Sequence, residues 1–289
     1  MMQSMDLRAL EIFRAVATEG SVSKAAAKLN RVQSNISTRV KQLETQLGKA
    51  LFLRRNRGLT LTADGERLLT YADRLLQLSE EASEAMNADR PDGVFRLGAM
   101  ESTAAARLPA ILARYGAEYP DVRIELETGT AGALLTRLVN HDVDAAFVAE
   151  PVDFNGISTA PVFAEQLVLV TPNAFPELEN TDEVSGRTVI AFEDGCAYRR
   201  YLDDWLLDAG IVPGGFMSVS SYLAILACVT AGTGYALVPQ SVLDLVSADG
   251  QFRRYPLPGK LSGIKTMLAW RKDYTSANLT ALKALLPAS

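Results

Sequence analysis

Apolar positions in the first sixty residues recur at helical spacing in three short runs. In residues 6–18, Leu7, Leu10, Phe13, Val16 and Ala17 form one stripe. Gly20 ends that run, and Ser21 or Ser23 can cap a second helix whose Ala25, Ala26 and Leu29 face inward. Its alanines are small enough for two helices to cross closely. The turn Leu29-Asn30-Arg31-Val32 leads into a longer helix beginning near Gln33. There Ile36, Val40, Leu43 and Leu47 follow at steps of four, three and four, and so share a face. The opposite face carries Ser34, Thr38, Lys41 and Thr45, with Gln33, Asn35, Ser37 and Arg39 on its flanks. After Gly48, two β-prone pieces at 51–53 and 59–61 flank Arg54-Arg55-Asn56-Arg57-Gly58, which predicts a hairpin with arginines at its tip.

Thr62 can cap the next helix, and Gly65 stands where a capping box would place Glu or Gln. The helix runs to about residue 87. Leu68, Ala72, Leu75, Ser79, Ala82 and Met86 alternate steps of four and three, beside Leu69 and Leu76. Such a seam serves pairing with a second copy or packing on the protein's own core. For a long helix between two modules, pairing through Leu68, Ala72, Leu75, Ala82 and Met86 is the expectation.

Arg90-Pro91-Asp92-Gly93 breaks the helical pattern and marks a linker. Beyond it, strand-like runs at 94–99, 122–127 and 144–149 alternate with helical patterns at 104–119 and 132–140. A β-α-β-α-β order predicts a parallel sheet with crossover helices. A second set follows: strands at 166–171, 188–192, 217–220 and 235–238, with helices at 198–208 and 223–231. A return strand at 265–270 and a closing helix at 276–286 complete the chain.

Charge sharpens this division. The 289 residues carry a net −5, yet residues 1–60 hold 11 Lys/Arg against 4 Asp/Glu, a net +7, and the remainder holds −12. A basic module that approaches a polyanion is joined to an acidic body with another task. A helix packed on one side and showing amides, hydroxyls and cations on the other suits a DNA major groove. The candidate DNA contacts are Ser23, Arg31, Gln33, Ser34, Asn35, Ser37, Thr38, Arg39, Lys41, Arg54, Arg55 and Arg57. An ordinary solvated helix face and a solvated arginine loop are the plain alternatives.

These residues resemble a known family. Glu19-Gly20-Ser21, Ala25-Ala26-Lys-x-Leu29, Gln33-Ser34, Ser37, Leu43-Glu44, Leu47-Gly48, Leu51-Phe52, Arg54, Arg57-Gly58 and Leu61-Thr62-x-x-Gly65 match the N-terminal domain of LysR-type transcriptional regulators. The resemblance implies that Gln33, Ser34 and Ser37 face DNA. Where many members have Ser-Arg, this chain has Ser37-Thr38 followed by Arg39, so Arg39 or Lys41 is left to substitute. It also implies a dimerising linker helix, a roughly palindromic double-stranded operator, pairing of dimers into tetramers, and RNA polymerase as a further candidate partner. The expected fold class is α/β: an all-α winged helix-turn-helix at 1–61 and a linker helix at 62–89, then an effector-binding domain at 90–289. That domain is expected to be a two-lobed α/β unit like the periplasmic binding proteins. Lobe I would comprise 93–166 and 267–289, lobe II 167–266, with crossings near 167–172 and 259–266.

Ligands of open parallel sheets bind beyond the carboxyl ends of the strands, where helix N-termini point in. That rule selects Met100-Glu101-Ser102-Thr103 and Thr128-Gly129-Thr130 on one lobe. On the other it selects Gly195-Cys196-Ala197-Tyr198-Arg199 and Ser220-Ser221-Tyr222. Hydroxyls and free helix-end N–H groups suit a carboxylate or similar small anion. Arg199 is the candidate countercharge, and Glu101 would pair with it or take an amine of the ligand. Each residue taken singly can be no more than a helix cap. The segments GAMESTAA, TGT and GCAYRR resemble the glutamate-synthase-regulator branch of the family, which names no ligand.

Cys196 supports an alternative. A helix N-terminus and the following Arg199 and Arg200 would lower its pKa. A peroxide-sensing member of the family keeps its reactive cysteine in a similar Glu-Asp-Gly segment, matched here by Glu193-Asp194-Gly195. Cys228 is the candidate resolving thiol, and a pocket-lining role is the simpler expectation. The two cysteines provide no disulfide framework, and no cofactor or metal is expected. The single histidine, His141, comes without a GxSxG elbow, Walker loop or GxGxxG, so an enzyme is not expected. A transport solute-binding protein would leave the first ninety residues unexplained. The sequence has no signal-peptide pattern at its start and no apolar run approaching about 18 residues, so a cytoplasmic protein without membrane contact is expected.

Overall fold

The computed structural model describes residues 5–55, 58–86, 90–246 and 250–287, and for Arg54, Arg55, Glu84 and Ala85 the backbone alone. The chain divides into two compact units, Met1–Asn87 and Ala88–Ser289.

In the first unit, Asp6 caps α1 (Leu7–Glu19) by accepting from the Arg8 amide, and Gly20 ends it in the left-handed region at φ 60°. The expected stripe is corrected here: Leu7 is 42% exposed, whereas Ile12 and Ala15 are buried. The reason is that α1 is central and buries two faces. Leu10 and Phe13 pack with Leu43, Leu51, Leu68, Ala72 and Leu76, while Ile12, Ala15 and Val16 pack with Ala25, Ala26, Ile36 and Val40. Ser21, not Ser23, caps α2 (Val22–Lys28). Arg31 N–H donates to the Ala26 carbonyl at 2.9 Å, closing the turn into α3 (Gln33–Leu47). Glu44 accepts from the amides of Leu51 and Phe52 at 2.8 and 3.3 Å, which ties α3 to the hairpin. Strands β1 (Phe52–Arg55) and β2 (Gly58–Leu61) pair antiparallel, Phe52 opposite Leu61.

Thr62 caps α4 (Ala63–Met86) through the Gly65 amide at 2.9 Å. A Cβ at Gly65 would sit 2.2 Å from the Leu51 carbonyl oxygen, which explains a glycine where a capping box would have an acid. The seam on α4 is corrected in part. Leu68 and Ala72 pack on α1 in the unit's own core, so they are unavailable to a second copy. Tyr71, Leu75, Leu78 and Met86 are exposed, as is Ala82.

In the second unit, one sheet runs in the order β4-β3-β5-β12-β6. Strands β3 (Gly93–Ala99), β4 (Val122–Thr128) and β5 (Ala145–Ala149) are parallel. The sequence pattern shows no sign of β6 (Ile157–Glu165), an edge strand whose Pro161 lies beside a register shift, where a lost ladder hydrogen bond is tolerated. The single helix expected at 104–119 is two, α5 (Glu101–Ala106) and α6 (Leu108–Glu118), broken at Arg107 with Pro109 opening the second. Helix α7 (Ala131–Val139) connects β4 to β5.

The chain leaves this lobe at Gln166. The expected crossing at 167–172 is instead β7 (Leu167–Pro172), fully buried at the centre of the second lobe's sheet. The second lobe adds β8 (Thr188–Ala191), α8 (Ala197–Asp208), β9 (Gly215–Ser218) and α9 (Tyr222–Thr230). It is completed by β10 (Ala236–Pro239), α10 (Gln240–Leu245) and β11 (Phe252–Pro256). Strands β10 and β11 flank β7 antiparallel, and β8 pairs parallel with β9. The return crossing ends before Ile264, because β12 (Ile264–Arg271) pairs with β6 from its first residue. Helix α11 (Ala277–Leu285) then covers the first lobe with α6. At the crossing, buried Glu165 accepts from the Ser241 amide at 3.3 Å and from the Ser241 hydroxyl, with the Arg107 guanidinium 3.6 Å away.

Candidate nucleic-acid interface and effector cleft

Helix α3 buries Ile36, Val40 and Leu43, so its remaining circumference is turned outward. Gln33, Ser34, Asn35, Thr38, Arg39 and Lys41 are exposed and Ser37 is half-buried. No side chain caps α3, which leaves its first N–H groups open to an anion. Lys28 and Lys49 of the same unit are neutralised by Glu19 at 3.0 Å and Asp64 at 3.6 Å. By contrast, Arg31, Arg39 and Lys41 make no ion pair among the described residues, and so keep their charge for phosphate. Gln42 was not singled out from the sequence, yet it lines the same shallow hollow as Ser34, Asn35, Thr38 and Arg39. Its place four residues beyond Thr38 is the signal that could have found it. Ser23 and Arg31 are exposed at α2 and the turn. In the wing, the β1–β2 backbone forms as expected; Arg57 and the side chains of Arg54 and Arg55 lie outside the described residues.

A cavity of about 220 Å³ lies between the two lobes of the second unit. It brings together Met100, Glu101, Ser102, Thr128, Gly129, Thr130, Cys196, Tyr198, Ser220 and Tyr222, all picked out from the sequence. Phe192 and Glu193 also line it. They follow the carboxyl end of β8, so the strand-end rule that selected the others points to them too. Thr103 is packed in the core, and Ser221 begins α9 without lining the cavity. Ala197 and Arg199 border a neighbouring hollow that shares Cys196.

Two long helices aim their first turns at this region: α7, capped by the Thr130 hydroxyl on the Ala133 amide, and α8, which begins after Cys196 without a side-chain cap. The Glu101 carboxylate reaches from the first lobe to the start of α9. Both its oxygens accept from the Tyr222 amide, at 3.3 and 3.1 Å. Burial pushes the Tyr198 and Tyr222 phenols well above their ordinary range, so both are neutral donors. The Ser102 hydroxyl of the first lobe and Thr266 of the returning strand act on the Tyr198 phenol in the opposite direction, but burial outweighs them.

Residues 7–66 match the model described as bacterial regulatory helix-turn-helix protein, lysR family, and residues 88–288 match the LysR substrate binding domain. The chain belongs to the LysR family. A regulator of Bacillus subtilis named YusT is 39% identical over 289 residues, covering 99% of this chain and 96% of that one. The regulator GltR of the same organism is 36% identical over 270 residues, covering 93% and 91%. Full-length CbnR complexed with its target DNA has the same fold, with a TM-score of 0.71 at 22% identity, covering 98% of this chain and 99% of that one. The protein is thus a LysR-type DNA-binding transcriptional regulator with a substrate-binding domain, and its families and relatives are regulators rather than enzymes. Among the described residues, no helix is long and apolar enough to cross a membrane.

Two expectations for this LysR protein's cleft are corrected. Arg199 is not a free countercharge. Its Nε donates to both oxygens of Asp203, at 2.9 and 3.1 Å, and Nη1 donates to the Phe192 carbonyl at 3.2 Å. Its guanidinium lies 4.6 Å from the centre of the Phe216 ring. An acid four residues on in the same helix turned the arginine away from the cavity. Nor is the Cys196 thiol activated. Burial raises its pKa, outweighing the Arg199 and Tyr198 amides and the Arg199 charge, which act in the opposite direction. Cys196 and Cys228 are both free thiols.

Proposed function

We propose that this regulator senses a small molecule carrying an anionic group, bound in the inter-lobe cavity that Glu101 and Tyr222 help to line, and that occupancy alters how its dimers hold DNA. The observation that carries the reading is the convergence of α7 and α8 first turns with the hydroxyls of Ser102, Thr128, Thr130, Ser220 and Tyr222 on one cleft between the lobes. Free first-turn N–H groups and hydroxyls fit an acid group without requiring a cation. The side chains on the exposed face of α3 read the operator, with Gln33, Ser34 and Ser37 toward base edges and Arg31, Arg39, Lys41 and the wing arginines toward phosphates. Residues 62–89 pair two copies through the exposed apolar face of α4, so that two copies of α3 meet a roughly palindromic site. Dimers assemble further into tetramers, and a ligand acts by binding one arrangement better than another.

The test is a thermal-shift screen of the full-length protein with small carboxylates and amino acids. Each compound that stabilises it is then taken into footprinting on the DNA upstream of its gene. A changed footprint supports the reading. An unchanged footprint and affinity with every stabilising compound would refute it. The redox alternative through Cys196 has no matching support, since burial holds that thiol protonated.

A further inference from the structure

Taking the cleft as the effector site, we propose that the effector is a zwitterion, carrying an amine as well as an acid group, and that Glu101 is the residue that selects the amine. The charges around the cavity carry the argument. Among its described lining residues the only formally charged side chains are Glu101 and Glu193, and both are acids. The nearest arginine on the α8 first turn is committed to Asp203, to the Phe192 carbonyl and to the Phe216 ring. A ligand that was only an anion would enter beside two carboxylates with helix ends as its sole compensation. A ligand with an acid at one end and an ammonium at the other satisfies both halves of the lining.

Geometry places the two ends. The acid belongs near α7 and α8, whose first turns face the region. The ammonium belongs at Glu101. A carboxylate accepts at about four lone-pair positions, and Glu101 has only the Tyr222 amide, shared between its two oxygens. Capacity is left for a donor arriving from the cavity. The wall beside it is aromatic: Phe192 and Tyr222 are in ring contact at 4.7 Å, and π faces suit an ammonium. Tyr222 is 5% exposed and lines the cavity, so its neutral phenol is a further polar group within the ligand's reach. The 220 Å³ of space corresponds to about seven water volumes, the scale of a single amino acid. A site built around an unpaired acid rejects an analogue that lacks the matching donor.

The experiment compares amino acids with isosteres in which hydroxyl replaces ammonium: L-alanine with L-lactate, L-aspartate with L-malate, L-glutamate with L-2-hydroxyglutarate, and L-phenylalanine with L-phenyllactate. Binding to the full-length protein is measured by calorimetry and thermal shift for wild type, Glu101→Gln and Thr128→Trp. Thr128 is exposed and lines the cavity, so tryptophan blocks the space without entering the core. In at least one pair the amino acid is expected to bind at least about tenfold more tightly. Glu101→Gln removes that preference while leaving the hydroxy acid within about twofold, and Thr128→Trp abolishes both. Equal or tighter binding of the hydroxy acid to wild type overturns the zwitterion, as does equal loss of both ligands in Glu101→Gln or no binding by any pair. A hydroxy-acid preference that Thr128→Trp abolishes leaves the cleft standing as the effector site. Binding that survives Thr128→Trp removes the cleft itself.

Discussion

The Glu101 carboxylate receives the Tyr222 amide hydrogen from the opposite lobe, at 3.3 and 3.1 Å, and so caps α9 from 121 positions away. Ser221, the residue at the cap position of α9, makes no side-chain cap hydrogen bond of its own. A carboxylate at a helix N-terminus satisfies an orphan donor and meets the positive end of the dipole. Glu101→Ala is therefore expected to lower the stability of the second unit by about 1 kcal/mol, the usual worth of a cap, and Glu101→Gln by less. Both tryptophans, Trp205 and Trp270, lie in that unit, so urea unfolding followed by tryptophan fluorescence reads the change directly.

On α3, exposed amides and unpaired cations separate two contributions to DNA affinity. Replacing Arg39 by alanine removes a charge with no protein partner among the described residues, and should weaken all sequences alike. The slope of log affinity against log salt then falls by about 1. Gln33→Ala should instead leave that slope unchanged and cost about 1–3 kcal/mol on the operator alone. Fluorescence anisotropy on operator and scrambled duplexes at several salt concentrations separates the two. An unchanged slope in Arg39→Ala would move the phosphate contact to Lys41.

The two sides of α4 should respond oppositely to a new charge. Leu75 is exposed, so Leu75→Glu is expected to leave the fold intact while weakening the self-association proposed for this face. Ala72 is fully buried against α1, so Ala72→Glu should unfold the first unit. Sedimentation velocity and circular dichroism check both. A dimer that survives Leu75→Glu unaltered would show that this face does not pair.

Gly65 tests the junction between the wing and α4. Its missing Cβ avoids the Leu51 carbonyl oxygen at 2.2 Å and Leu61 Cδ2 at 3.0 Å. The carbonyl is backbone and cannot swing aside, so Gly65→Ala should cost about 1–3 kcal/mol through overpacking. The loss should appear as weaker operator binding on warming, with the tryptophan-monitored unfolding of the second unit unchanged.

Legibility in the sequence followed the range of the interactions. Amphipathic helices with local stops, such as α3 ending at Gly48 and α4 opening at Thr62, are visible because cap and stripe lie within a few residues of each other. The cleft segments were visible through the strand-end rule, which depends only on element order. Three features were hidden. Periodicity on α4 marks Leu68, Ala72 and Leu75 alike, because a seam does not say which of its sides meets the protein's own core. Strand β6 is masked by Pro161, acceptable only because the strand is at an edge beside a register shift. The fate of Arg199 depended on whether Asp203 or the cavity won it, a competition between a local pair and a distant ligand.

Tyr235 provides a test of the second lobe's core. Its side chain is fully buried and its hydroxyl has no hydrogen-bond partner among the described residues. Burying an unsatisfied hydroxyl is costly, so Tyr235→Phe should raise stability at neutral pH by about 1 kcal/mol. The same burial pushes the phenol from 10.0 up to about 12. Between those values the unfolded chain has lost its proton and the folded chain has kept it, so stability falls as pH rises. A difference of about two units corresponds to a loss of roughly 2–3 kcal/mol, complete near pH 12 and absent below pH 10. Tyr198 and Tyr222 are raised by burial as well, so the wild-type decline in this range is shared. Tyr235→Phe should flatten it without abolishing it. Urea titrations at pH 8, 10 and 11 measure the effect; parallel declines in wild type and variant would mean that the Tyr235 hydroxyl is solvated.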